Sequence, residues 1–134
     1  MGVPGETDLE AMLGQLTVTV RPGRFTVAQA DEPVALGAGV EAVLREEEGT
    51  TVIATVEAAA RAGWEVGFEA AWLTLDVHSA LEAVGLTAAV ATALAAEAIP
   101  CNVLAGYLHD HLLVPVDRVD DALVCLARLR RDDH

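Results

Sequence analysis

The chain reads as an α+β protein built from two ferredoxin-like repeats, with antiparallel sheets and helices packed on one face. Three observations predict this. The second half runs strand, small-residue helix, two strands with almost nothing between them, then an amphipathic helix, which is the βαββαβ order without its last strand. In the first half, "TTVIATVEAAARA" repeats the strand-then-capped-helix pattern of "HLLVPVDRVDDALVCLA" near the end. Charge also interrupts each apolar run well before the ~18 residues that a membrane-spanning helix requires, so the apolar segments belong to a core.

"TDLEAMLGQL" opens with a capping box, Thr7 with Glu10 three residues on, and predicts a short helix from Asp8 to about Leu13. β-Branched alternation then predicts strands at Leu16–Val20 and Phe25–Ala30, with "RPG" as the turn between them. Asp31–Gly39 carries Gly and Pro and reads as a loop. "EAVLREEEG" fits either a helical turn or a strand entering a turn at Glu48-Gly49. "TTVIA" is a strand, Thr55 caps the helix "VEAAARAG", and Gly63 ends it.

"FEAAWLTLDV" predicts a strand to about Val77, and "HSALEAVG" a connection. In "LTAAVATALAAEA", Leu86, Ala89, Val90, Ala93 and Leu94 fall on one helix face. Strands over Asn102–Leu108 and His111–Val116 should form an antiparallel hairpin turning at His109-Asp110. Asp117 should cap the last helix, whose buried stripe is Val119, Ala122, Leu123, Leu126 and Leu129. The repeats divide as residues 1–66 and 67–134. Repeats of this length are near the size at which an isolated core is marginal, so the two are expected to pack together, first-half strands supplying the edge the second half lacks.

Hydrophobic residues make up 53% of the chain and aromatics only 4%, so the core must be Ala, Val and Leu. A net charge of -13 repels nucleic acid and anionic membranes, so neither is an expected partner. The complete absence of lysine removes Schiff-base and P-loop phosphate chemistry. The start, "MGVPGETDLEAM", has no basic segment followed by an apolar run, so a signal peptide is not expected and the cytoplasm is the default. In that compartment Cys101 and Cys125 are expected to be buried thiols rather than a disulfide.

"LTAAVATALAAEAIPCNVLAGYLHDHLLVPVDRVDDAL", Leu86 to Leu123, resembles the C-terminal half of small bacterial proteins with tandem ACT-like domains. The shared pattern is a Gly before a small-residue helix, "IPCN", an alternating strand, "HDH", an aliphatic strand, then Pro and a helix. "GRFTV" and "REEEGTTVIAT" resemble the N-terminal half of that family, and "VHSALEAVGLTAAVA" its mid-section. The resemblance implies a non-enzymatic regulatory module that binds a small amino-acid-like ligand, without cofactor, at an interface between ACT-like repeats. It carries ligand contacts onto Val84, Gly85 and Leu86 before the helix, and onto Pro100, Cys101 and Asn102 after it, with Cys101 and Asn102 at the strand start. A monomer or weak homodimer is expected.

The residues themselves bear on these positions. A helix N-terminus after Gly85 offers free N–H donors to a carboxylate, though a glycine there equally serves a tight turn. Asn102, the sole asparagine, can both donate and accept, which suits an amino acid's ammonium and carboxylate, or a turn. Ser79, beside His78, lacks the glycine elbow of a nucleophile, so no catalytic residue is expected. His109, Asp110 and His111 raise the alternative of a metal-dependent enzyme, with His78 as a further ligand. Two histidines two apart on a strand share a face, but Asp110 then points away, so a structural hairpin tip and no metal is the expectation. A further reading of the tip has Asp110 or His111 contacting a neighbouring domain or ligand, and the other functional alternative is a protein-interaction module without a ligand, which needs only an exposed strand edge.

Overall fold

A computed structural model describes residues 8–77 and 84–132. In chain order these residues form α1 (Leu9–Gln15), β1 (Val18–Ala30), β2 (Val40–Glu46), β3 (Gly49–Thr55), α2 (Val56–Ala62), β4 (Ala70–Leu75), α3 (Leu86–Ala96), β5 (Asn102–Ala105), β6 (Asp110–Pro115), a 3-10 turn at Val116–Arg118 and α4 (Val119–Asp132). The chain divides into two units, residues 1–21 with 72–134, and residues 22–71. No helix among the described residues is long and apolar enough to cross a membrane.

The unit of residues 22–71 has the strand order β2-β3-β1. "EAVLREEEG" resolves as strand and turn: β2 and β3 pair antiparallel to Glu46↔Gly49, leaving Glu47 and Glu48 as the turn. β3 pairs antiparallel with β1 from Phe25↔Thr55 to Ala30↔Thr50. The expected turn at "RPG" does not form; β1 continues through Arg21-Pro22-Gly23, with Gly23 at φ 105°. The β3 ladder begins beyond Pro22, at Phe25, so the missing proline N–H costs that ladder no hydrogen bond.

α2 starts and stops as its residues require. Thr55 Oγ1 accepts from Ala58 N at 3.1 Å. Gly63 takes φ 79°, and Trp64 N donates back to Ala59 O at 2.9 Å, closing the helix end. Trp64 and Val34 then pack on a core of Ala30, Val40, Val52, Ala54 and Ala58. Small residues allow this close approach of helix and strands, as the low aromatic content demands.

The other unit has the strand order β1-β4-β6-β5. β4 is shorter than the expected strand, ending at Leu75. Leu73 and Leu75 of β4 and Leu112 and Val114 of β6 are buried, as are Leu86, Val90 and Leu94 of α3 and Ala122, Cys125 and Leu126 of α4. α1, α3 and α4 contact one another. Thr7 lies outside the described residues; Asp8 caps α1, accepting from Glu10 N at 3.0 Å. Ahead of α4, Asp117 sits inside the 3-10 turn Val116–Arg118, whose N-cap is Pro115.

The β5–β6 hairpin forms antiparallel, from Asn102↔Leu113 to Ala105↔Asp110. Its turn is earlier than expected, over Gly106 to His109, with Gly106 N donating to His109 O at 3.0 Å. The exposed tip is therefore Tyr107-Leu108, and Asp110 and His111 are strand residues.

Thr26 in β1 is fully buried, and among the described residues its hydroxyl has no hydrogen-bond partner. A buried hydroxyl left unsatisfied costs about 1–3 kcal/mol. Thr26→Val keeps the branched shape and removes that cost, so it should raise stability by about 1 kcal/mol. A urea melt checks this; a lower midpoint would show that the hydroxyl is satisfied.

Candidate functional site

The expected ligand-binding residues all lie in the unit that contains α3. Gly85 is the N-cap of α3, with φ 108° and no side-chain cap bond, and its carbonyl accepts from Ala89 N at 2.8 Å. This left-handed conformation is one that only glycine adopts without strain. A Cβ here would also lie 3.1 Å from Leu9 Cδ2 of α1. The turn-forming role of Gly85 is thus met by its geometry. Val84 is exposed and Leu86 is buried in the core.

Cys101 is half-buried rather than fully buried, and burial pushes its thiol pKa up, which disfavours a reactive thiolate. Cys125 is buried and its thiol is likewise raised, by burial and then by the charge of Glu97, with Arg128 opposing. Both are free thiols. Asn102 is exposed at the first position of β5.

These two groups of residues stand at opposite ends of the unit. Thr87, in the first turn of α3, donates to Asp110 Oδ2 at 3.5 Å, and Asp110 pairs with Ala105. The N-terminus of α3 is therefore beside the turn end of the hairpin. Asn102 pairs with Leu113 at the other end, roughly 10 Å along the strand. The cause is general: a helix joining two strands runs against them, so the next strand begins at the helix's C-terminal end. Arg118 marks that end, donating to Glu97 O at 3.1 Å and Ala98 O at 3.2 Å while pairing with Asp121 at 3.0 Å.

The polar cluster of "HDH" is also divided. His109 lies in the turn, Asp110 faces α3, and His111 sits on the opposite face of β6. His111 is not a solvated tip. Its Nδ1 accepts from Trp72 Nε1 at 3.2 Å and lies 3.0 Å from Thr74 Oγ1. The two rings meet edge to face at 5.5 Å between centroids, and the Arg21 guanidinium stacks 3.9 Å over Trp72. On the same face, the Thr19 hydroxyl donates to the Asp76 carboxylate. Sequence reasoning missed Arg21, Trp72 and Thr74; their alternate positions in strands were the available signal. Among the described residues no three His, Cys, Asp or Glu side chains converge as a metal site would require. His78 and Ser79 lie outside the described residues.

Two open grooves lie elsewhere. One of about 530 Å³ is bordered by Leu16, Val18, Leu123, Leu126 and Arg130 in the α3-containing unit. The other, of about 330 Å³ and in the 22–71 unit, is bordered by Gln29, Glu65 and Phe68 among others. Neither includes Val84, Gly85, Leu86, Cys101 or Asn102.

Gly106 is required by close approach. A Cβ there would stand 2.5 Å from His109 O and 3.1 Å from His111 Nε2. Backbone cannot rotate away as a side chain can, so Gly106→Ala should destabilise the chain by about 1–3 kcal/mol. Thermal unfolding measures this, and an unchanged Tm would mean that the turn accepts a side chain.

Among known proteins, an ACT domain model matches residues 4–71 and a second matches residues 68–128. A crystal structure from Vibrio cholerae, of a protein of unknown function described as a possible transport protein, is 36% identical, with a TM-score of 0.78 over 91% of this chain and 95% of that one. An Agrobacterium tumefaciens protein is 16% identical, with a TM-score of 0.68 over 86% of this chain and 89% of that one. The regulatory subunit of aspartate kinase from Thermus flavus, 10% identical, shares the fold with a TM-score of 0.60 over 85% of this chain and 97% of that one. No curated protein matches the sequence. With both ACT models aligned end to end and the α+β architecture in place, the chain belongs to the ACT domain family, as a tandem pair of such domains.

Proposed function

We propose that this chain is a non-enzymatic regulatory module of the cytoplasm that binds a small amino-acid-like ligand. The observation that carries this reading is the tandem ACT match over residues 4–128, since ACT domains are regulatory modules that commonly take amino acids. The likeness to an aspartate kinase regulatory subunit supports the regulatory half of it.

The ligand's carboxylate would be met at Val84, Gly85 and Leu86, where the first N–H groups of α3 follow a cap without a side-chain acceptor. Asp110, which accepts from Thr87, would balance the ammonium. Cys101 and Asn102 begin β5 at the far end of α3, beyond the reach of the same small molecule within one unit. For Asn102 to touch a ligand held at Gly85, the strand must come from a second copy of the chain. Ligand binding would then strengthen a weak homodimer.

A thermal-shift screen with the common amino acids tests the reading. A ligand at a hundred times its Kd adds about 2.7 kcal/mol of stability. With a hit in hand, Asn102→Ala should weaken binding by about 1–3 kcal/mol in calorimetry, and light scattering should show ligand-dependent association. Binding that is unchanged in Asn102→Ala removes Asn102 from the site. A screen with no hit favours the interaction-module alternative. Gly85→Val is not a clean probe, because the positive φ of Gly85 would strain any side chain.

A further inference from the structure

We propose that the Trp72–His111 contact is a proton-sensitive latch: neutral His111 reinforces the β4–β6 seam that carries the hairpin, and protonation at Nδ1 weakens it.

The argument begins with donors and acceptors. An indole N–H can only donate. Trp72 Nε1 lies 3.2 Å from His111 Nδ1, so that nitrogen must be the acceptor and the ring proton must sit on Nε2. Thr74 Oγ1, 3.0 Å from the same Nδ1, can play either part. Adding a proton to Nδ1 sets two N–H groups against each other. Thr74 can then accept, but the Trp72 bond is lost.

Each element packed against the ring contributes to its charge balance. Arg21 of β1 and His109 at the hairpin turn disfavour an imidazolium; Asp76 beside β4 and Asp110 of β6 favour one. β5 brings no charge, since the strand is Asn102, Val103, Leu104 and Ala105, and Leu104 stands opposite His111. Burial is the largest influence, followed by Arg21, and together they push the His111 pKa below its ordinary value. The native state therefore binds this proton less readily than the unfolded chain. Stability from this group is complete above the unfolded pKa of about 6.5 and is lost as pH falls from there through the lowered folded value.

The ring is coupled mechanically to the turn. Gly106 leaves room for the Nε2 edge of His111, which a Cβ would approach to 3.1 Å. A shift of the ring thus moves the packing on which the turn rests. That turn presents Tyr107 and Leu108, 73% and 44% exposed, so weakening the latch alters an exposed apolar tip.

Nuclear magnetic resonance on the full chain tests the latch, by a titration from about pH 8 to about pH 5, the range in which histidine changes charge. The Trp72 indole N–H resonance should shift with the same midpoint as the His111 ring protons, below the ordinary histidine value, while the Trp64 indole does not follow. Amide protection over Asn102–Ala105 and Asp110–Leu113 should fall across the same interval, by at most about tenfold per pH unit, the limit for one proton. His111→Gln retains a neutral acceptor for Trp72 and should abolish the step while keeping protection at neutral pH. A Trp72 indole signal that stays still while His111 titrates would overturn the proposal, as would the same step surviving in His111→Gln. If His111→Gln does not fold, the wild-type titration decides alone.

Discussion

Helix α3 is fixed at both ends, and the placement of each candidate side chain around it depends on that. Gly85 turns the chain into the helix with a left-handed φ of 108° that a residue with a side chain adopts only under strain. At the other end Arg118 donates to the carbonyls of Glu97 and Ala98, which lack helical partners, and holds the chain as it leaves for β5. Between these points the helix spans roughly 16 Å. It runs against the strands it joins, so Val84–Leu86 and Cys101–Asn102 cannot converge on one small molecule inside the unit. The same geometry sets Asp110 beside the start of α3 and leaves His111, its neighbour in sequence, on the opposite face of the sheet.

That opposite face is organised around a single aromatic. A chain with 4% aromatic residues has few large side chains to spend, and Trp72 is 4% exposed. Its ring is used on three sides: Arg21 on the face, His111 at the edge, and the indole N–H donated into the imidazole. A buried indole N–H needs a partner, and the histidine supplies it only while neutral. The polar face of this unit is therefore tied together by an acceptor whose state depends on pH, which differs in kind from the alanine and valine packing of the 22–71 unit.

Much of the fold was legible in the residues. Helix and strand periods located α2, α3, β3 and, in Ala122 and Leu126, part of the buried stripe of α4, where Val119, Leu123 and Leu129 are only partly buried, and the short link between two aliphatic runs announced the β5–β6 hairpin. Errors came where local signals compete with tertiary pairing. Pro22-Gly23 is a strong turn signal, yet β1 continues through it, because the ladder with β3 starts only at Phe25. The polar residues His109 and Asp110 suggest a tip, yet the tip is Tyr107-Leu108, since Gly106 alone can approach His109 O so closely. The Trp72–His111 bond joins positions 39 residues apart, and no local pattern carries such a contact. For the candidate site, the residues Gly85 and Asn102 were readable but their separation was not. It follows from the direction in which α3 runs, a property of the assembled unit.

The charge of the chain shapes what the proposed site can hold. At -13, the protein's mean field repels anions, and a ligand's carboxylate would gain only from short-range donors at the start of α3. Screening in physiological salt confines the field of exposed charges to about 8 Å, so local N–H groups can still win at contact distance. Among the charged side chains with described contacts there, Asp110 is anionic and lies where an ammonium would be favoured. Under the proposed reading, zwitterionic or cationic amino acids fit this site better than dicarboxylic ones. The acidity of the chain then works as a selectivity filter.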